Sequence, residues 1–98
     1  MSNIIVVLNH ISHMLRLDPV AVKSKHRAQP LVYARNLICL YCCDILQYSR
    51  DEVANELKVD HSTVTYRIQQ ARLLVKQVRY GKIWHKLIST NPPEIKDE

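Results

Sequence analysis

The sequence of 98 residues contains a single glycine, Gly81. Tight β-hairpin turns and phosphate-binding loops usually depend on glycine, because their backbones adopt dihedral angles that side chains disfavour. A P-loop is therefore excluded, and autonomous nucleotide hydrolysis is not expected. No segment alternates convincingly between apolar and polar residues with period two, so the scarcity of glycine favours an all-α fold. The length allows one domain with one hydrophobic core.

Apolar residues recur at helical spacing along most of the chain and predict about six helices. The predicted starts are Ser2, Pro19, Pro30, Ser49 and Asp60, with a last short helix over 83–88 after a break at Gly81. The third helix is expected to end near Gln47, and the apolar stripe of the fifth extends to Val78. These elements predict a compact bundle over residues 1–90, followed by a disordered acidic tail over 91–98.

The net charge of +5 is unevenly distributed along the chain. Acidic residues are absent from Lys23 to Arg35 and again from His61 to Pro93, whereas most of them lie within 44–60 or in the tail. Two basic blocks separated by an acidic one suggest a cationic face that attracts polyanions such as nucleic acids. Composition leaves open the alternative that the surface is cationic for solubility alone.

Residues 50–77 have the pattern of a helix-turn-helix motif. Ser49 and Glu52 fit a capping box for its first helix, Lys58 occupies the turn position often held by glycine, and Asp60 is a favourable N-cap for the second helix. An acid, a histidine and two hydroxyl residues cluster where that second helix begins. All four can form hydrogen bonds with base edges, and this end of the helix faces the major groove in such motifs.

A longer part of the chain, which includes this motif, resembles the C-terminal DNA-binding domain, domain IV, of the bacterial replication initiator DnaA. The resemblance is carried by the segments KSKHRAQPLVYAR and NLICLYCCDILQYSRDEVANELKVDHSTVTYRIQQA. Its most specific element is DHSTV at Asp60–Val64, which matches the Asp-His-Thr-Thr-Val signature of the family. It covers about Ile11 to Ile88 and implies a Trp-repressor-like bundle that binds double-stranded DNA. The initiator's ATPase module has no counterpart here, so a stand-alone domain is expected.

Carried over residue by residue, the resemblance implies that Asp60, His61 and Ser62 contact bases and that Thr63 contacts a phosphate. Asp60 is expected to share this role with capping its helix. Lys25-His26-Arg27 is similar to the Lys-Arg-Arg of the family's basic loop, which places Arg27 in the adjacent minor groove. The residues expected to bind DNA are Lys23, Lys25, His26, Arg27, Gln29, Arg50, Asp60, His61, Ser62, Thr63, Tyr66 and Arg67.

Three departures from the family pattern affect which DNA sequence would be bound. Lys58-Val59 replaces a Gly-Gly-Arg before the signature, Gln29 replaces a loop arginine, and Cys43 replaces a lysine that contacts the DNA backbone. DNA binding is expected to persist, but the family's own box need not be the target.

Metal binding and catalysis are the other kinds of site that the sequence could suggest. Cys39, Cys42 and Cys43 lie within about one helical turn, where buried thiols that act as small hydrophobic groups are favoured over zinc ligands. His61 and Ser62 are neighbours on one helix, so their side chains point apart and do not form a nucleophile and base. We expect neither an enzyme nor a cofactor, metal or small-molecule substrate.

The apolar run at residues 4–8 is too short for a signal peptide or membrane span. No membrane partner is therefore expected, and the odd, closely spaced cysteines favour a reducing bacterial cytoplasm. A mobile element or phage as the source is left open. The expected function is DNA binding in replication initiation or transcription regulation. The alternative is a small helical module or inhibitor that binds a host replication or transcription protein.

Overall fold

The computed structural model describes residues 2–89, which are helical apart from short connections. The helices are α1 (Asn3–Met14), α2 (Pro19–Lys23), α3 (Gln29–Leu40), a π-helical turn (Tyr41–Ile45), α4 (Arg50–Leu57), α5 (His61–Leu74) and α6 (Val78–Ser89). The predicted all-α fold of six helices is confirmed. The tail predicted for 91–98 lies outside the described residues.

Side-chain caps begin three of the helices where the sequence predicts them. The side chains of Ser2 and Asp18 accept hydrogen bonds from first-turn backbone amides at 3.2 and 3.0 Å. Ser49 accepts one from the Glu52 amide at 3.1 Å, and the Glu52 carboxylate accepts one from the Ser49 amide at 3.4 Å. These local contacts satisfy amides that have no partner within the helix.

The core is built around α3, against which both α1 and α5 pack. Helix α5 buries Val64, Ile68, Ala71 and Leu74, which lie at helical spacing along one side. Because this stripe faces α3, the opposite side of α5 is directed away from the core. Helix α6 is attached to α3 and to the π-helical turn by aromatic contacts, in which Tyr33 of α3 meets Tyr80 and Tyr41 of the turn meets Trp84 edge to face. Trp84 is partly buried and packs against the hydrophobic core.

The predicted boundaries of the last two helices were wrong. The apolar stripe was expected to continue to Val78, but α5 ends at Leu74 and Val78, which is 74% exposed, begins α6. Gly81 was expected to break the chain and instead lies inside α6. A Cβ atom at Gly81 would come within 2.8 Å of the Val75 carbonyl oxygen. Glycine therefore lets α6 approach the end of α5 closely.

The long third helix ends differently from the prediction near Gln47. Its α-helical part stops at Leu40, the π-helical turn follows, and Gln47 has a left-handed backbone with φ of 65°. Cys39 and Cys42 are buried in this region. Burial raises the pKa of the Cys39 thiol to about 11 and that of Cys42 well above its ordinary value. Both thiols therefore remain protonated and pack as small hydrophobic groups.

Candidate nucleic-acid interface

The turn between α4 and α5 makes these two helices a helix-turn-helix. Lys58 has φ 57° and ψ 49°, the left-handed conformation that glycine commonly supplies at the end of a helix. This conformation costs a residue with a side chain about 1–3 kcal/mol. The Val59 amide then donates to the Ala54 carbonyl at 3.0 Å, which closes the end of α4. Lys58 therefore makes the turn at the position where such motifs often have glycine.

The first turn of α5 presents its polar residues to solvent. His61 and Ser62 are exposed, Thr63 is half-buried, and Tyr66 one turn later is 60% exposed. Val64 between them is fully buried. The polar tip of α5, defined as Asp60, His61, Ser62 and Thr63, therefore projects from a helix whose other side is fixed in the core.

Asp60 occupies the N-cap position without capping through its side chain. Its backbone carbonyl accepts hydrogen bonds from the amides of Thr63 and Val64 at 3.0 and 3.2 Å, as in any helical turn. Its carboxylate makes no capping hydrogen bond, so the side-chain capping expected for Asp60 was wrong. The exposed carboxylate remains available to another donor.

A contact that the sequence did not predict joins the tips of the two helices. The Nδ1 atom of His61 lies 2.6 Å from Oδ1 of Asp51, which belongs to the first turn of α4. Ten residues separate the two along the chain, and only the crossing of α4 and α5 brings them together. No local sequence pattern signals such a pair.

Two arginines of the predicted DNA-binding set make contacts within the protein. Arg50 is exposed, and its Nη1 atom donates to the Thr65 hydroxyl at 3.2 Å across the two helices. Arg67 is half-buried and lies near Cys39 of α3. Burial raises the pKa of the Cys39 thiol, and the charge of Arg67 and its hydrogen bond to the thiol partly offset this increase. Arg50 thus borders the polar tip, whereas Arg67 lies at the packing surface between α5 and α3.

The basic loop, defined as residues 23–29, is exposed along its whole length. Ser24 Oγ accepts a hydrogen bond from the His26 amide at 3.2 Å, and His26 Nδ1 accepts one from the Ala28 amide at 3.3 Å. These short-range contacts shape the loop while Lys25 and Arg27 remain in solvent. Gln29, the last loop residue, is also the first residue of α3.

Arg35 was counted in the basic block but is buried, with 8% of its surface exposed. Its guanidinium donates to the backbone carbonyls of Val22, Ala21 and Ser24 at 2.8, 3.2 and 2.7 Å. Burial lowers the pKa of Arg35, and the nearby charge of Arg67 on α5 lowers it further. Arg35, on α3, therefore anchors the end of α2 and the start of the basic loop, and it does not belong to the exposed cationic surface.

Within residues 2–89, no three histidine, cysteine, aspartate or glutamate side chains are placed to hold a metal ion. No helix in this span has the length and apolar character needed to cross a membrane. The hydrogen bond of the His61 ring goes to a carboxylate and not to Ser62. What the described residues do present is an exposed polar helix tip and an exposed cationic loop.

The crossing of α4 and α5, together with the exposed polar tip and basic loop, places the protein in the class of helix-turn-helix proteins. A family model described as "Bacterial dnaA protein helix-turn-helix" matches residues 4–71, more than half of the chain. The chain belongs to this family of DNA-binding domains, which confirms the resemblance seen in the sequence. The matched residues run from α1 into α5 and leave out α6. No match was found among curated proteins or among solved structures.

Proposed function

We propose that the protein binds double-stranded DNA with sequence preference, with the polar tip of α5 in the major groove. The observation that carries this proposal is the contrast along one helix: His61 and Ser62 are exposed while Val64 and Ile68 are 0% and 1% exposed. A helix fixed in the core on one side can hold its polar end in one orientation against base edges.

Within this proposal, each residue of the tip has a chemical role. His61 and Ser62 hydrogen-bond to bases, and Thr63 donates its hydroxyl to a phosphate. The Asp60 carboxylate, which makes no capping bond, accepts from the amino group of a cytosine. Tyr66 and Arg50 border the tip and contact the flanking backbone. Arg67 would reach DNA only by leaving its contact with α3.

The basic loop binds the adjacent backbone or minor groove. Lys25 and Arg27 supply the positive charge, with Lys23, His26 and Gln29 beside them, and all five side chains are exposed. The hydrogen bond from Arg35 to the Ser24 carbonyl supports this role because it restrains the start of the loop before DNA arrives, and the bonds to Val22 and Ala21 fix the adjoining end of α2. A restrained loop loses less conformational entropy on binding than a free one.

Selection of bound sequences from a random duplex pool tests this function. We expect one short motif to be enriched, and its affinity to fall steeply with salt because phosphate contacts release counterions. Enrichment of an initiator box would assign the protein to replication initiation, whereas an unrelated motif would assign it to transcription regulation. Affinity that is independent of both sequence and salt would overturn the proposal and favour a protein partner.

A further inference from the structure

The hydrogen bond between Asp51 and His61 determines which atom of the His61 ring remains free. An ionised carboxylate can only accept, so Nδ1 of His61 must carry the proton that bridges the 2.6 Å gap. The other ring nitrogen, Nε2, has no hydrogen-bond partner among residues 2–89. In the neutral ring, a proton on Nδ1 makes Nε2 an acceptor.

This pair adds little to the stability of the fold. The side chains of His61 and Asp51 are 56% and 77% exposed, and ion pairs at such positions are weak. The two helices are already held together by buried Val53 and Val64. The consequence of the pair is therefore the orientation and tautomer of the imidazole.

Within residues 2–89, no side chain other than Asp51 forms a hydrogen bond with the His61 ring. Arg50, next to Asp51, donates to Thr65. Asp60, next to His61, makes no hydrogen bond that caps α5 and none to the ring. The tautomer of His61 therefore depends on Asp51.

We propose that Asp51 is a positioning residue that sets the base preference of His61. By accepting from Nδ1, Asp51 presents Nε2 as an acceptor for a base that offers an amino group in the major groove, adenine N6 or cytosine N4. Without Asp51 the ring is free to place its proton on Nε2, which would then donate to guanine. The base-reading part of this inference rests on the proposed function, whereas the tautomer does not.

The tautomer can be measured without DNA, from the ¹⁵N chemical shifts of the histidine rings at a pH where they are neutral. His61→Ala identifies the His61 signals among the five histidines. We expect Nδ1–H in the wild type, a shift to Nε2–H in Asp51→Ala, and retention of Nδ1–H in Asp51→Asn, whose amide oxygen still accepts. Asp44→Ala is the control, since it also removes one exposed acid and its contact with Arg72. An unchanged tautomer in Asp51→Ala would overturn the proposal.

The effect on base reading is measured as the ratio of affinities for the selected duplex and for a variant at one base pair. This ratio cancels the general gain in affinity that follows from removing a negative charge. We expect His61→Ala and Asp51→Ala each to reduce it about 5- to 150-fold at the same base pair. The double variant should lose no more than His61→Ala alone, because Asp51 acts through His61.

Independent, multiplying losses in the double variant would show that Asp51 contacts DNA by itself and would overturn the positioning role. If the wild type shows no sequence preference, the proposed function fails. The ring tautomer in Asp51→Ala then still decides whether Asp51 controls His61.

Discussion

The guanidinium of Arg35 donates to the backbone carbonyl of Ser24 at 2.7 Å, across eleven residues of chain. Ser24 lies at the end of α2, immediately before the lysine and arginine of the basic loop. Arg35, which the sequence places in a basic block, is therefore buried and holds the start of the exposed basic loop. The sequence alone does not distinguish a buried arginine that stabilises the fold from an exposed arginine that can bind DNA.

Arg35→Ala should lower the free energy of unfolding by about 2–3 kcal/mol, because three carbonyls lose a charged donor in a buried site. Urea denaturation followed by circular dichroism measures this change. Lys82→Ala on α6, which replaces an exposed cation, is the control and should change stability by less than about 0.5 kcal/mol. A loss in Arg35→Ala as small as in the control would mean that the carbonyl contacts contribute nothing.

Lys25→Ala and Arg27→Ala should each weaken binding to selected and random duplexes equally, since phosphates carry no sequence information. The slope of log affinity against log salt should fall in magnitude by about 1 for each variant. Fluorescence anisotropy at several salt concentrations provides both values. Lys82→Ala again serves as the control for loss of one positive charge. A slope that stays the same in both loop variants would rule out a phosphate-binding role for the loop.

The helix starts were predictable because capping acts within one turn of chain. Ser2, Asp18 and Ser49 each accept from an amide two or three residues away, so the sequence pattern and the structural contact coincide. Asp60 has the same pattern, but its carboxylate does not cap α5. A favourable residue type shows that a cap is possible but not that the side chain adopts it.

The parts of the structure that the sequence did not predict depend on how distant elements approach one another. The contact of Asp51 with His61 requires two helices to cross, and the close approach at Gly81 requires α6 to fold back on Val75. The polar tip itself was predictable, because its signature is contiguous in the sequence. The DNA-contacting roles of its residues stay predictions.

Asp60→Ala tests the missing cap by comparison with Ser49→Ala. Ser49 accepts from the Glu52 amide, and its loss should lower the free energy of unfolding by about 1 kcal/mol. Asp60 contributes only the favourable position of a carboxylate near a helix N-terminus, so its loss should cost about 0.5 kcal/mol or less. Parallel urea denaturation of the two variants makes this comparison. Equal losses would indicate that the Asp60 side chain caps α5 in solution.

Gly81→Ala should destabilise the protein even though alanine is the better helix former. In an ordinary helix interior this substitution gains up to about 1 kcal/mol. Here the added Cβ would meet the Val75 carbonyl oxygen at 2.8 Å, and this main-chain oxygen cannot move aside as a flexible side chain could. Relieving that contact requires α6 to move away from the end of α5, at a cost of about 1–3 kcal/mol typical of overpacking.

The net result for Gly81→Ala should be a lower midpoint of thermal unfolding, read by circular dichroism. His85→Ala, an exposed substitution on the same helix, is the control and should leave the midpoint nearly unchanged. A higher midpoint in Gly81→Ala would show that α6 does not pack closely against Val75. The glycine would then be replaceable by alanine without loss of stability.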